Sequence, residues 1–395
     1  MPPSIGGPKL EASDSEVSLR SSELNASVDV ERSSLSAEGT ALSATAAGSR
    51  ISATDSELSF LRSRVDLGVR GDPGSAISAE QSWFTQVHPS TGLSRDLLRA
   101  RGPLTVRQCT FAMPEVLVTA QEMMGPTHTQ FALVASGARA EVEDVLVLLA
   151  RQDSYANFAA VVMANADASE PYHLRRGLVI GGTRQAQVSV IGRAEMEDWA
   201  GYDGVGHAIS VDGGDIVLTR VEGARNESVV QLSASEPLLA RLRDLRTFDC
   251  PTGLIVRSYG GSIDADISRI HLSGLRADGS GLSIRADAAD GELAGPVRVV
   301  MRDVLVDAEV TRSMELGMDA VLDLQDFRFV GASYGIALRH RDRDQRPPHP
   351  HHLRRGSIHA NLAGVLLSDL PAELHRLLDQ VQVNATLPVL DPDPQ

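Results

Sequence analysis

The amino-acid sequence predicts an all-β solenoid in which short parallel strands stack coil upon coil. Three observations support this fold class: apolar residues alternate with small or polar ones, the alternating phrases repeat along the chain, and helical periodicity is scarce. Of the 395 residues, 42% are hydrophobic, enough to bury a core. Strands this short cannot bury a face alone, but stacked coils can.

The N-terminal region already contains a repeat. The phrase LEASDSEVSL at residues 10–19 recurs as ISATDSELSF at residues 51–60. Its serine content is also typical of a disordered tail, but alternation of Leu, Val and Ile with polar residues indicates strands. We therefore predict a short tail over residues 1–9 and Ser/Ala-rich β-helix coils over residues 10–70.

A second form of the repeat predicts the main β-helix over residues 104–370. One phrase places a glycine before alternating apolar residues, as at Gly177, Gly206, Gly253, Gly281 and Gly335. The other places a polar pair between apolar residues, as in Val142-Glu-Asp-Val145. In successive coils, spaced by a basic step of about 24 residues, the residue after the pair is Val221, Leu245, Ile270, Val304 and Phe327.

The polar pair interrupts strict alternation by one residue, so the chain must bend there. The second residue of the pair is Arg220, Asp244 and Arg269 in three successive coils. Asp tolerates the left-handed backbone of a tight bend, and opposite charges one coil apart favour a solvated corner ladder. The alternative is a charged substrate groove.

The remaining segments interrupt or end the pattern. Residues 71–103 are predicted to be an irregular insertion. Residues 371–395 are predicted to form a C-terminal cap with a short amphipathic helix, a last strand and a frayed tail. No signal peptide is visible, and the repeat begins by Leu10 without a cap, which suggests a fragment of a longer protein.

On these repeats, the sequence resembles the right-handed parallel β-helix repeat proteins, the pectin-lyase-like superfold. It is most similar to the non-catalytic extracellular type of bacteria. The resemblance covers residues 104–370 well and 8–70 loosely, and it involves no catalytic signature. It implies a right-handed parallel β-helix, an extracellular or cell-surface location, and a polysaccharide or a cell-surface protein as partner.

The first candidate site is a predicted loop over residues 193–206. Its acids could bind hydroxyls or calcium, its aromatic residues could stack on sugars, and Arg225 could serve as a charge partner in catalysis. The acids are Glu195, Glu197, Asp198 and Asp203, and the aromatic residues are Trp199, Tyr202 and, from a neighbouring coil, Tyr155. The alternative is an ordinary polar loop with Trp199 folded over the coil edge.

The second candidate site is a basic, proline-broken stretch that contains His349, His351 and His352. Three histidines in four residues can bind a divalent metal, but the prolines and the lack of a nearby cysteine favour a flexible loop. We expect no cofactor apart from possible calcium.

Composition narrows the function. The net charge of −15 argues against a nucleic-acid partner, and no apolar run is long enough to span a membrane as a helix. The leading hypothesis is a non-catalytic surface or secreted module for binding or scaffolding. The alternatives are a polysaccharide lyase or glycoside hydrolase that uses acids of residues 193–206, and a purely structural spacer.

Overall fold

A computed structural model describes residues 8–43, 49–85, 96–113, 131–137, 139–151, 159–165, 170–182, 185–286, 295–317, 320–339, 351–368 and 380–390. The chain divides into two compact units. Unit 1 comprises residues 1–195 and 203–205, and unit 2 comprises residues 196–202 and 206–395. All regular elements among the described residues are strands. In this part of the chain no helix is long and apolar enough to cross a membrane.

Unit 1 holds twenty strands among its described residues, followed by the first two residues of β21 (Ala194–Tyr202). They are β1 (Lys9–Ser13), β2 (Glu16–Arg20), β3 (Glu23–Asn25), β4 (Ser27–Glu31), β5 (Ser34–Glu38), β6 (Ala41–Ser43), β7 (Arg50–Thr54), β8 (Glu57–Leu61), β9 (Arg64–Val65), β10 (Gly68–Gly71), β11 (Ala76–Glu80), β12 (Trp83–Thr85), β13 (Leu98–Ala100), β14 (Leu104–Arg107), β15 (Thr110–Met113), β16 (Leu133–Ala135), β17 (Ala140–Arg151), β18 (Ala159–Asn165), β19 (Tyr172–Gly182) and β20 (Ala186–Gly192).

The strands of unit 1 form three rows of parallel neighbours, because each strand pairs with its equivalent one coil later. In the first row, successive partners are Leu10, Val28, Ile51, Val69, Leu98, Leu133, Val161 and Val188. Alternation sends one side of each strand inward: in β5, Leu35 and Ala37 are buried while Ser36 and Glu38 are exposed. The Ser/Ala-rich segment therefore forms strands.

Unit 2 holds the rest of β21 and the remaining strands. They are β22 (His207–Ala224), β23 (Ser228–Phe248), β24 (Thr252–Ser258), β25 (Ile263–Ser273), β26 (Ser280–Ala286), β27 (Val297–Asp307), β28 (Arg312–Gly317), β29 (Ala320–Val330), β30 (Tyr334–Arg339), β31 (His352–His359), β32 (Ala363–Ser368), β33 (Val381–Asn384) and β34 (Leu387–Leu390).

The register of unit 2 follows the repeat steps read from the sequence. Successive parallel partners are Val221, Leu245, Ile270, Val304 and Phe327. The predicted parallel β-helix is therefore confirmed. Crossover connections between parallel strands are right-handed in about 98% of cases. The hand predicted from the sequence is also right-handed.

The corners of the coils use left-handed backbone at charged residues. In unit 2 one column of corners consists of Asp198, Arg220, Asp244, Arg269, Asp303, Asp326 and Arg355, all with φ between 52° and 61°. Ion pairs join corners of neighbouring coils, with 2.7 Å from Arg269 to Asp244 and 2.6 Å from Arg355 to Asp326. The corner-ladder interpretation describes this column, since the side chains of these pairs range from 28% to 64% exposed.

The first coils of unit 1 add a hydrogen-bonded serine ladder behind the bend. Ser63 follows the left-handed Arg62, accepts a bond from the Thr40 N–H, and donates to the carbonyls of Leu61 and Ala37. Ser82 repeats this arrangement one coil later. The ladder satisfies polar backbone groups that the bend removes from regular pairing, which explains the serine content of this region.

Both cysteines occupy ladder-like positions and are free and buried. Cys109 bonds to the carbonyl of Arg107, as Ser82 does to that of Glu80, and the register of β15 on β17 places it opposite Val145. Burial raises the pKa of the Cys109 thiol to about 11. The thiol is therefore protonated and unreactive at neutral pH.

The fold differs from the sequence expectations in two places, and a third expectation falls on residues that are not described. Residues 71–103 were predicted to be irregular, yet β11, β12 and β13 continue the rows, because Ile77 and Phe84 keep the inward positions. The phrase at Gly177 does not belong with the other glycine phrases. Gly177 is the register partner of Val145, the residue that follows the left-handed Asp144. The predicted C-terminal helix over residues 371–380 lies almost wholly outside the described residues.

Candidate ligand-binding face

The segment 193–206 is largely a strand, not the loop that the sequence suggested. β21 covers Ala194–Tyr202, with Ala194, Met196 and Trp199 buried. The phrase Met196-Glu-Asp-Trp199 is another polar pair between apolar residues, and Asp198 has φ 57°. The expectation of a loop was wrong because an aromatic residue at the position after the pair hid the corner motif.

The tryptophan of this segment faces the core. Trp199 is 2% exposed, so its ring is not presented to a ligand, and the alternative of a residue folded inward describes it better. Tyr202 donates a hydrogen bond to Glu222 at 2.7 Å, and burial raises its pKa to about 12. Neither ring forms an open sugar platform in this structure.

The acids of the segment are engaged at corners. Glu197 and Asp198 both bind the guanidinium of Arg220, and these contacts raise the pKa of Arg220. In unit 1, Glu195 lies 3.2 Å from His173. Asp203 and Arg225 are themselves left-handed residues, with φ 60° and 57°. This arrangement suits a structural role, because the two carboxylates on Arg220 are paired with a permanent cation.

The histidine site gains no support. Tyr155 and His349 lie outside the described residues. His351 is 6% exposed, whereas His352 is an exposed residue of β31 whose register partner on β29 is Asp323. Among the described residues, no group of three His, Cys, Asp or Glu side chains is placed to hold a metal ion.

A different surface of unit 2 brings functional groups together. β24, β26 and β28 are stacked neighbours, and their apolar residues point inward on alternate positions, for example Leu282 and Ile284. The intervening side chains therefore face outward. We call this surface the outer face; its residues are Ile255, Arg257, Ser283, Arg285 and Glu315, together with Arg312, which contacts Glu315 from the start of β28.

Two arginines occupy the same position of successive coils on the outer face. Arg257 and Arg285 are direct partners in the parallel register. The guanidinium of Arg257 also lies 4.6 Å from the centre of the Tyr259 ring, and Tyr259 is 37% exposed. Like charges directly opposite each other repel, and the carboxylate of Glu315 on β28 offsets the charge of Arg285.

A shielded carboxylate lies beside these arginines. The side chain of Glu315 is 4% exposed although it points away from the core. It accepts hydrogen bonds from Arg285 at 2.7 Å and from Arg312 at 3.4 Å. Two charge-assisted contacts fix the guanidinium groups in place, which preorganises them for a further anionic or hydroxyl-bearing partner.

The sequence contains a signal for this face. In the glycine phrases at Gly253 and Gly281, the fourth residue after the glycine is arginine in both coils. Glu315 could not be found in this way, because Arg285 is brought to it only by the register of β26 and β28, whereas Arg312 precedes it by three positions on β28.

No family model and no curated protein matches the sequence. Among solved structures, the chain is similar to the periplasmic alginate epimerase AlgG. The identity is 8%, the match covers 85% of this chain and 77% of that chain, and the TM-score is 0.46. A likeness of this strength carries no information on activity.

Proposed function

We propose that the protein is a non-catalytic β-helix module that binds an acidic polysaccharide on the outer face of unit 2, at the cell surface or outside the cell. The observation that carries the proposal is the register pair Arg257 and Arg285 beside the shielded Glu315. Guanidinium groups bind carboxylates through two parallel hydrogen bonds, which suits the uronate groups of acidic glycans.

The neighbouring side chains suit the rest of a sugar. Tyr259 offers a partly exposed ring that can stack on a pyranose. Ser283 is the register partner of Glu315 but is only 8% exposed, so hydroxyl contacts are a minor part of this site. Arg257 and Arg285 lie one coil apart in a row, which suits a chain-like ligand.

An enzyme that uses the acids of residues 193–206 is the less favoured function. Glu197 and Asp198 share the cation Arg220 at a coil corner, so neither carboxylate is held apart as a proton donor or nucleophile. A polysaccharide lyase or glycoside hydrolase remains a possible outcome of the experiment below, which measures turnover as well as binding.

The test is a panel of uronate-containing, sulfated and neutral polysaccharides, assayed for binding and for cleavage, with calcium and with chelator. We expect binding of an acidic polysaccharide without cleavage. Arg257→Gln and Tyr259→Ala should each weaken it about tenfold or more, because one charge-assisted contact or one stacked ring is lost.

The matched control is Arg243→Gln, which removes one exposed arginine from β23 of the same unit and leaves the outer face intact. Equal weakening by Arg257→Gln and Arg243→Gln would indicate a general charge effect and contradict the proposal. Cleavage that is abolished by Glu197→Gln would establish the enzyme instead.

A further inference from the structure

Unit 1 carries a concentrated group of arginines on its first row of strands. Arg50 lies on β7, Arg70 on β10, Arg99 on β13, and Arg101 directly after β13. We call these four residues the arginine cluster. The whole chain has a net charge of −15, so such a local positive surface runs against the overall charge of the protein.

The register places two of these arginines side by side. Arg70 is the direct parallel partner of Arg99. The flanking residues Val69, Leu98 and Ala100 are fully buried, so the arginine side chains of these strands point outward. Two guanidinium groups on neighbouring strands repel each other, and this repulsion is relieved when an anion binds between them.

One carboxylate is held within the cluster. The side chain of Asp96 has no exposed surface and lies 2.5 Å from Arg99 in an ion pair. A Cβ atom on Gly68 would come 2.9 Å from the carbonyl oxygen of Asp96, so the missing side chain lets this segment approach the strand. Asp96 orients Arg99, and its negative charge also attracts Arg70.

The pKa of Arg70 reflects both burial and neighbouring charges. Burial lowers it, attraction to Asp96 opposes this shift, and repulsion from Arg50, Arg99 and Arg101 adds to it. Arg70 is half-buried, so its repulsion from the other arginines is screened less by water than it is for exposed Arg50 and Arg101.

We infer that the arginine cluster is a binding site for an oxyanion of the sulfate, phosphate or carboxylate class. The planar fork of each guanidinium can donate two hydrogen bonds to such a group, and Arg70 and Arg99 are spaced by one strand separation, about 4.8 Å. This site lies in unit 1 and shares no residue with the outer face, so it stands or falls independently of the proposed function.

The experiment compares sulfate with chloride at equal ionic strength on the full chain, using thermal unfolding. Sulfate stabilises proteins generally, and this general effect should be the same for every variant. Specific binding adds a further rise in Tm with sulfate concentration for the wild type. We expect Arg70→Gln and Arg101→Gln to remove most of that further rise, with a loss of affinity of about tenfold.

The control is Arg62→Gln, which removes an exposed corner arginine from the same unit and keeps the cluster intact. Arg101 is exposed, so Arg101→Gln keeps the test valid if Arg70→Gln does not fold. The inference is overturned if the sulfate effect is the same in the wild type, Arg101→Gln and Arg62→Gln.

Isothermal titration then identifies the source of the oxyanion. The probes are inorganic phosphate, a sulfated oligosaccharide and a uronate oligosaccharide, each measured against the wild type and Arg101→Gln. A probe whose affinity falls in Arg101→Gln but not in Arg62→Gln supports the site and names its ligand class. A probe whose binding is lost in Arg257→Gln but retained in Arg101→Gln binds the outer face and not the arginine cluster. Such a result separates the two sites.

Discussion

The first coils of unit 1 and the coils of unit 2 make the same bend with different chemistry. In both, a residue with left-handed backbone ends one strand. Between residues 32 and 82 of unit 1 the next residue is a buried serine or threonine that bonds to backbone, as Ser63 does. In the unit 2 column that runs from Asp198 to Asp326 it is an aliphatic or aromatic core residue, such as Leu245, whereas Gly356 follows Arg355. The corner therefore demands a backbone conformation and a buried side chain, but not one particular chemistry.

Step length accompanies this difference. Leu10, Val28, Ile51 and Val69 are successive partners in unit 1, with Val28 and Val69 each only 18 positions beyond the partner before it. Leu218, Leu242 and Ile267 in unit 2 are further apart along the chain. The step from Val28 to Ile51 is 23 positions and the first coils bury Leu58 and Phe60, so the small side chain of Ser63 is a property of the corner and not of a uniformly narrow interior.

The largest effect should come from imposing the serine corner on unit 2. Leu245 is fully buried, so Leu245→Ser should lower the free energy of unfolding by about 3–5 kcal/mol, through lost burial and the cavity left behind. Leu239→Ser is the control, since Leu239 on the same strand is 41% exposed and should cost little. Urea unfolding measures both, and equal effects would show that the corner residue is not part of the core.

A smaller effect should follow when a serine corner in unit 1 loses its hydroxyl. Ser63→Ala leaves the Thr40 N–H without its partner and the Leu61 and Ala37 carbonyls with one bond fewer. We expect a loss of about 1–3 kcal/mol, compared with almost none for exposed Ser59→Ala on β8. Unfolding followed by hydrogen exchange of the first coils checks this, and a neutral Ser63→Ala would contradict the ladder.

The smallest effect is a difference in acid sensitivity. Burial lowers the pKa of His207, whose Nδ1 lies 2.8 Å from the Ser228 hydroxyl, whereas residues 1–85 contain no histidine. The unfolded state therefore binds a proton at His207 more readily, so stability is lost as the pH falls through about 6.5. Between pH 7.5 and 5.5, exchange protection should fall modestly around β22 but not in the first coils, and His207→Gln should reduce that fall.

The sequence predicted the fold well because each coil is a local phrase. Alternation identified the inward residues, and the polar pair located the bends at Arg220, Asp244 and Arg269. The Ser/Ala-rich strands could also be found by alternation, but not the ladder behind them, because its hydrogen bonds join residues of different coils.

The sequence could not locate the outer face, for a physical reason. Acids and aromatics gathered in the segment 193–206 suggested a ligand, but a corner also requires Glu197 and Asp198, and a core also requires Trp199. The groups of the outer face are spread over coils and meet only through the register, so no single segment displays them. Position within the coil is thus a better guide to a surface than local composition.

The most direct test of the account compares Arg285→Gln on the outer face with Glu197→Gln at the corner, using equilibrium binding of the acidic polysaccharide that binds the wild type most tightly. Thermal unfolding verifies that both variants are folded. The account predicts that Arg285→Gln weakens binding about tenfold or more while Glu197→Gln leaves it unchanged. Unchanged binding by Arg285→Gln together with loss in Glu197→Gln would contradict it and return the site to residues 193–206.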